Sequence, residues 1–110
     1  MPRYITFFSY TSASAKALID RPTDRAAAVK TLVESLGGKL EGFYWMQGDH
    51  DGFLIANLPD GARAAALSAA VASTGAVTGM KSHEIFDGET QAQIVKSAKA
   101  AVGDYKSPAA

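Results

Sequence analysis

The sequence predicts an α+β fold, an antiparallel sheet with its main helices on one face, and three observations predict it. Strand-like and helix-like segments follow one another in the order β-α-β-β-α-β, with one more helix at the end. Gly and Pro separate them, at Gly37-Gly38, Pro59-Asp60-Gly61 and Gly75. The first strand-like run carries large apolar side chains on both faces, so the sheet built on it needs a cover on each side.

The first strand is Arg3 to Tyr10, rich in β-branched and aromatic residues, with Tyr4, Phe8 and Tyr10 on one face and Ile5 and Phe7 on the other. Thr11 or Ser12 caps a short helical turn to about Ile19, broken at Asp20-Arg21-Pro22. The next helix starts at Pro22 and Thr23, and its stripe is Ala26, Val29, Leu32, Val33 and Leu36. Gly37-Gly38 ends it, because the residue after a helix commonly takes positive φ. The second strand runs from Lys39 to about Met46. Strict alternation puts Leu40, Gly42, Tyr44 and Met46 on one face and Glu41, Phe43 and Trp45 on the other. Gln47 to Asp51 is a hairpin connection. The third strand, Gly52 to Leu58, is almost wholly apolar, as an interior strand is. Asp60 caps an Ala-rich helix over 62–73 that turns Leu67 and Val71 to the core. The fourth strand spans about Val77 to Phe86. After Asp87, a cap, Ile94, Val95, Ala98, Ala101 and Val102 form an amphipathic stripe ending at Gly103. That stripe is expected to dock on the body or on a neighbouring subunit. The order is that of the ferredoxin-like fold, whose helices leave one sheet face bare, and an aromatic bare face calls for another sheet.

Composition excludes several functions. The 110 residues fit one domain, and 11 basic against 11 acidic residues leave no cationic surplus for nucleic acid. No cysteine is present, which removes disulfides, thiolate metal sites and a Cys nucleophile. No apolar run approaches the ~20 residues of a membrane span, and Met1-Pro2-Arg3-Tyr4 has no signal-peptide pattern, so a cytoplasmic location is expected. The Ala-rich core is small, which points to a homodimer or larger homo-oligomer.

Chemistry-bearing residues are few. Asp49-His50-Asp51 is the densest polar cluster, and His50 is the candidate acid or base. Turn geometry alone also accounts for a polar hairpin, and alternation sends the two carboxylates away from the imidazole. Tyr10, Tyr44, Trp45 and Asp51 are the candidate ligand-binding residues; strand aromatics filling a layer between sheets is the plainer account of the first three. No metal site or cofactor is expected. His50 and His83 lack ligand spacing, and their strands are expected on opposite edges with strand one between them. Arg21, Arg25, Lys30 and Arg63 read as scattered solubility charges, and Gly37-Gly38 follows a helix instead of opening one.

Leu32-Val33-Glu34-Ser35-Leu36-Gly37-Gly38-Lys39-Leu40-Glu41, then Phe43-Tyr44, Gly48-x-x-Asp51 and Pro59-Asp60, resembles the GYD domain family, as do Ala65-x-Leu67, Ala69-Ala70 and Gly75-Ala76-Val77-Thr78. The similarity spans about residues 3–86. One departure is that Gly48-Asp49-His50-Asp51 carries His where the family's naming motif carries Tyr. The resemblance implies a ferredoxin-like fold related to the dimeric α/β barrels, in which two sheets face each other. The expected organisation is a GYD-like domain over 1–86, an amphipathic helix over 87–103 and a flexible tail over 104–110. The expected function is binding of a small hydrophobic ligand, with cofactor-free chemistry on an aromatic or keto compound as its enzymatic form. A structural module that only homo-oligomerises through its sheet is the alternative.

Overall fold

The computed structural model of the chain describes residues 1–109. Ala110, the last residue of the expected tail, lies outside the described residues. The elements are β1 (Arg3–Tyr10), α1 (Ser12–Asp20), α2 (Arg25–Ser35), β2 (Lys39–Trp45), β3 (Gly52–Asn57), α3 (Gly61–Ser73), β4 (Val77–Ile85), α4 (Gly88–Ala101) and a 3-10 turn at Val102–Asp104. The strands pair antiparallel in the order β2-β3-β1-β4, the ferredoxin-like arrangement. The expectation that strands three and four occupy opposite edges is corrected. β3 is interior between β2 and β1, and the edges are β2 and β4.

Each α-helix starts on a side-chain cap that satisfies a backbone N–H of its first turn. Thr11 Oγ1 accepts from Ser14 N at 3.3 Å, Asp60 Oδ1 from Arg63 N at 2.9 Å and Asp87 Oδ1 from Thr90 N at 2.8 Å. At α2 the cap is Asp24, whose Oδ1 accepts from Ala27 N at 3.1 Å, so the helix opens at Arg25 and not at Pro22–Thr23. That offset makes Arg25 the first helical residue.

Both edge strands carry a bulge, and each changes which residues face the helices. In β2 the register shifts between Leu40 and Gly42, so Leu40 joins Phe43 against the core instead of lying with Tyr44. In β4 the register against β1 shifts between Phe7 and Ser9, next to Gly79, whose φ of 63° suits glycine. Lys81 lies opposite Phe7 and Val77 opposite Tyr10, so the shift turns Val77 to the helix side. The alternation rule holds in β1 and β3 and fails where an extra residue is inserted.

Core burial is confined to the helix side. Tyr4, Leu54 and Ala56 from the sheet, Val33 from α2, Ala64 and Leu67 from α3, and Leu58 form one cluster. Gly38 closes the α2–β2 corner: a Cβ there would collide with the Asn57 carbonyl, Leu58 and Val33.

α4 does not dock on the body, which corrects one of the two docking expectations. It has no buried residue, and Val95 is 57% exposed. A compact chain of this length has a radius of gyration near ~13 Å, whereas the molecule measures 17.6 Å and extends 59 Å along its long axis. The helix stands out from the sheet as an arm. Among the described residues, no helix is long and apolar enough to cross a membrane.

Candidate functional site

Small side chains on the helices leave space above the sheet. α2 packs chiefly over β2 and α3 over β4, and the Ala-rich faces of both do not close the gap above β1. The result is a cavity of about 280 Å³. Its floor is the helix-facing side of the sheet, with Phe8 and Tyr10 of β1, Phe43 of β2, Leu54 of β3, and Val77 and Met80 of β4. Its roof is Arg25, Ala28, Val29 and Leu32 of α2 with Leu67, Ala70, Val71 and Thr74 of α3. An apolar cavity of ~150 Å³ already accepts a benzene-sized molecule, so this one has room for a larger ring system.

Aromatic contacts stiffen the floor. Phe8 stacks on Phe43 with centroids 5.5 Å apart and meets Tyr10 edge-on at 5.4 Å, and Tyr10 lies 5.3 Å from Trp45. Tyr10 is fixed along its backbone as well. Its N–H donates to Asp51 Oδ2 at 2.7 Å, while Asp51 N–H donates to the Phe8 carbonyl at 2.9 Å. Burial pushes the Tyr10 hydroxyl above the usual tyrosine range; the Arg25 guanidinium beside it pulls the other way, and the Asp51 carboxylate adds a smaller upward push.

The five candidate site residues do not share one place. Tyr10 lines the cavity, Trp45 meets the Tyr10 ring at a tilt while remaining 61% exposed, and Asp51 holds the Tyr10 backbone. Tyr44 and His50 belong to the opposite, helix-free face. Tyr44 stacks on Phe53 at 5.1 Å, Phe53 lies 5.8 Å from Phe7, and Phe7 has the His50 ring at 5.6 Å and the His83 ring at 6.4 Å. The two imidazoles thus meet one phenyl ring, His50 from the β2–β3 connection and His83 from β4. His50 Nδ1 is buried and has no hydrogen-bond partner among the described residues. No group of three or more His, Cys, Asp or Glu side chains suited to a metal ion occurs among the described residues.

Arg25 is the residue that sequence reading missed. In the sequence it reads as a solvated charge, yet it is half-buried beside Tyr10 in the cavity lining. The signal was present: Arg25, Val29 and Leu32 are spaced i, i+4, i+7, the same helix face.

Among family models, that of the GYD domain matches residues 4–95, which includes the four strands but for Arg3, the cavity and the first part of α4. No curated protein matches the chain.

Proposed function

The chain belongs to the GYD domain family, and from that premise we propose that it binds a small, predominantly apolar molecule in the cavity between α2, α3 and the sheet. The observation that carries this reading is the cavity itself, about 280 Å³, apolar on nearly every side, with Tyr10 and Arg25 as polar groups at its mouth. That is the usual composition of a small-molecule site, an apolar wall with a few placed polar groups. His50 lies on the other face of the sheet, beside Phe7, so the binding reading leans on Tyr10 and not on the hairpin imidazole. The test is a thermal-shift screen of small aromatic and keto compounds, since a ligand of the folded state raises the melting temperature by mass action. Hits that lose their effect in Ala70→Phe, which fills the cavity, support the reading; hits that act equally on both proteins count against it.

A second reading concerns the helix-free face, where Ile5, Phe7, Phe53, Ile55 and Tyr44 form a continuous apolar layer and Tyr44 is 52% exposed. A layer of this kind on a soluble chain marks an interaction surface. Its proposed occupant is the same face of a second copy, giving a homodimer or a larger homo-oligomer. Light scattering at micromolar concentration then gives at least twice the chain mass of 11.5 kDa; a monomer rejects this reading and leaves the cavity unaffected.

A further inference from the structure

The apolar cavity does not end at its mouth. Tyr10, Arg25 and Ala76 are shared with a second chamber, of about 330 Å³, that lies between α1, the Arg21–Thr23 turn and the start of α2. The two chambers differ in chemistry. The first is walled by Phe, Leu and Val side chains, whereas the second adds the guanidinium of Arg21 to that of Arg25, with the hydroxyls of Ser14 and Thr23.

Neither arginine forms an ion pair among the described residues. The ion pairs among the described residues are Arg3–Glu41, Lys16–Asp20 and Arg63–Asp60, none of which includes Arg21 or Arg25. The Arg25 guanidinium reaches Thr23 Oγ1 through Nη1 at a long 3.5 Å and lies against the Tyr10 hydroxyl, both neutral partners. The acidic residues closest in sequence are engaged elsewhere: Asp20 holds Lys16 at 2.7 Å, and Asp24 caps Ala27 N–H at 3.1 Å. Two guanidinium groups outside any ion pair therefore line the second chamber, and Arg25 lines the apolar one as well, so both can make charge-assisted bonds to a carboxylate there.

We propose that the two chambers together hold one amphipathic carboxylate, its ring or short chain seated in the apolar chamber and its carboxylate on Arg21 and Arg25. This assignment rests on the cavity reading and adds to it the chemical class of the ligand. Tyr10 lines both chambers. The loop-and-helix start around Pro22 gives the anion its seat, and the Ala-rich roof gives the apolar body its room.

Isothermal titration of the full chain with sodium 2-naphthoate and with the neutral 2-naphthalenemethanol separates the two claims. At low salt the carboxylate binds about tenfold or more tightly than the alcohol, the size expected of a hydrogen bond to a charged group. Arg25→Gln and Arg21→Gln each remove most of that preference by weakening the carboxylate far more than the alcohol, while Arg25→Lys restores part of it. Circular dichroism of each variant confirms that it is folded. Equal binding of acid and alcohol, insensitive to both arginines, overturns the carboxylate assignment and leaves the cavity reading standing. If neither compound binds, the cavity reading fails and the assignment fails with it.

Discussion

Asp51 Oδ2 accepts the backbone N–H of Tyr10 at 2.7 Å, joining the end of β1 to the β2–β3 connection across 41 residues of sequence. The bond sets where the Tyr10 ring emerges, and the ring forms one wall of the cavity. Asp51→Ala leaves that half-buried N–H without its acceptor and is expected to cost about 1–3 kcal/mol. Asp51→Asn, which keeps an oxygen in place, costs less. Urea unfolding measures both, and an Asp51→Ala chain as stable as wild type removes the bond from the account.

Tyr10 provides a pH prediction. Burial raises the pKa of its hydroxyl in the folded chain above the usual value of 10.0. The folded state therefore holds the phenolic proton more tightly than the unfolded state does. That contribution to stability is complete below the ordinary tyrosine pKa and is lost as pH rises through the raised one. Arg25 favours the phenolate, so Arg25→Gln moves the titration of Tyr10 further upward. Phenolate absorbance of wild type and Arg25→Gln, each corrected by its Tyr10→Phe counterpart, reads the shift; a downward move contradicts the placement of the guanidinium.

Gly38 is a packing requirement. Its Cβ position is occupied by the Asn57 carbonyl and the side chains of Leu58 and Val33, the last two being core residues. Gly38→Ala forces backbone or core to shift and is expected to cost about 1–3 kcal/mol or more. Gly88→Ala, where nothing lies within 4 Å of the new methyl, serves as the neutral comparison in the same melting experiment.

α4 gives the opposite expectation. Val95 is 57% exposed and touches no core. In the isolated chain Val95→Asp changes stability by no more than about 0.5 kcal/mol. A helix of this length in water is marginal without packing, so its amphipathic stripe matters only where a second molecule covers it. A several-kcal/mol loss in a monomeric sample shows that α4 folds back on the body.

Much of the fold was legible because caps and glycines are local signals. Asp60, Asp87 and Gly37-Gly38 mark element ends in the sequence and do so in the structure. The faces of β1 followed from alternation, with Tyr4 and Phe8 buried. The faces of β2 and the lower end of β4 did not, because a bulge inserts one residue and a period-2 reading has no term for it. The cavity was hidden for a different reason. It arises from what alanines fail to fill between two separated helices, and a one-dimensional pattern shows which residues face inward but not the volume left between them. Arg25 reads as a solvated charge because a charged residue next to the Asp24 cap carries no sequence sign of which neighbours it packs on.

The central claim, that a small apolar molecule occupies the helix-side cavity, is tested most directly by methyl-resolved NMR of the chain titrated with sodium 2-naphthoate. The sheet separates two sets of methyl groups: Val29, Leu32, Leu54, Leu67 and Val71 line the cavity, whereas Ile5 and Ile55 sit opposite each other on the helix-free face. The account predicts saturable shifts in the first set, with Ile5 and Ile55 unmoved. Shifts confined to Ile5 and Ile55, or none in the cavity set, would contradict it.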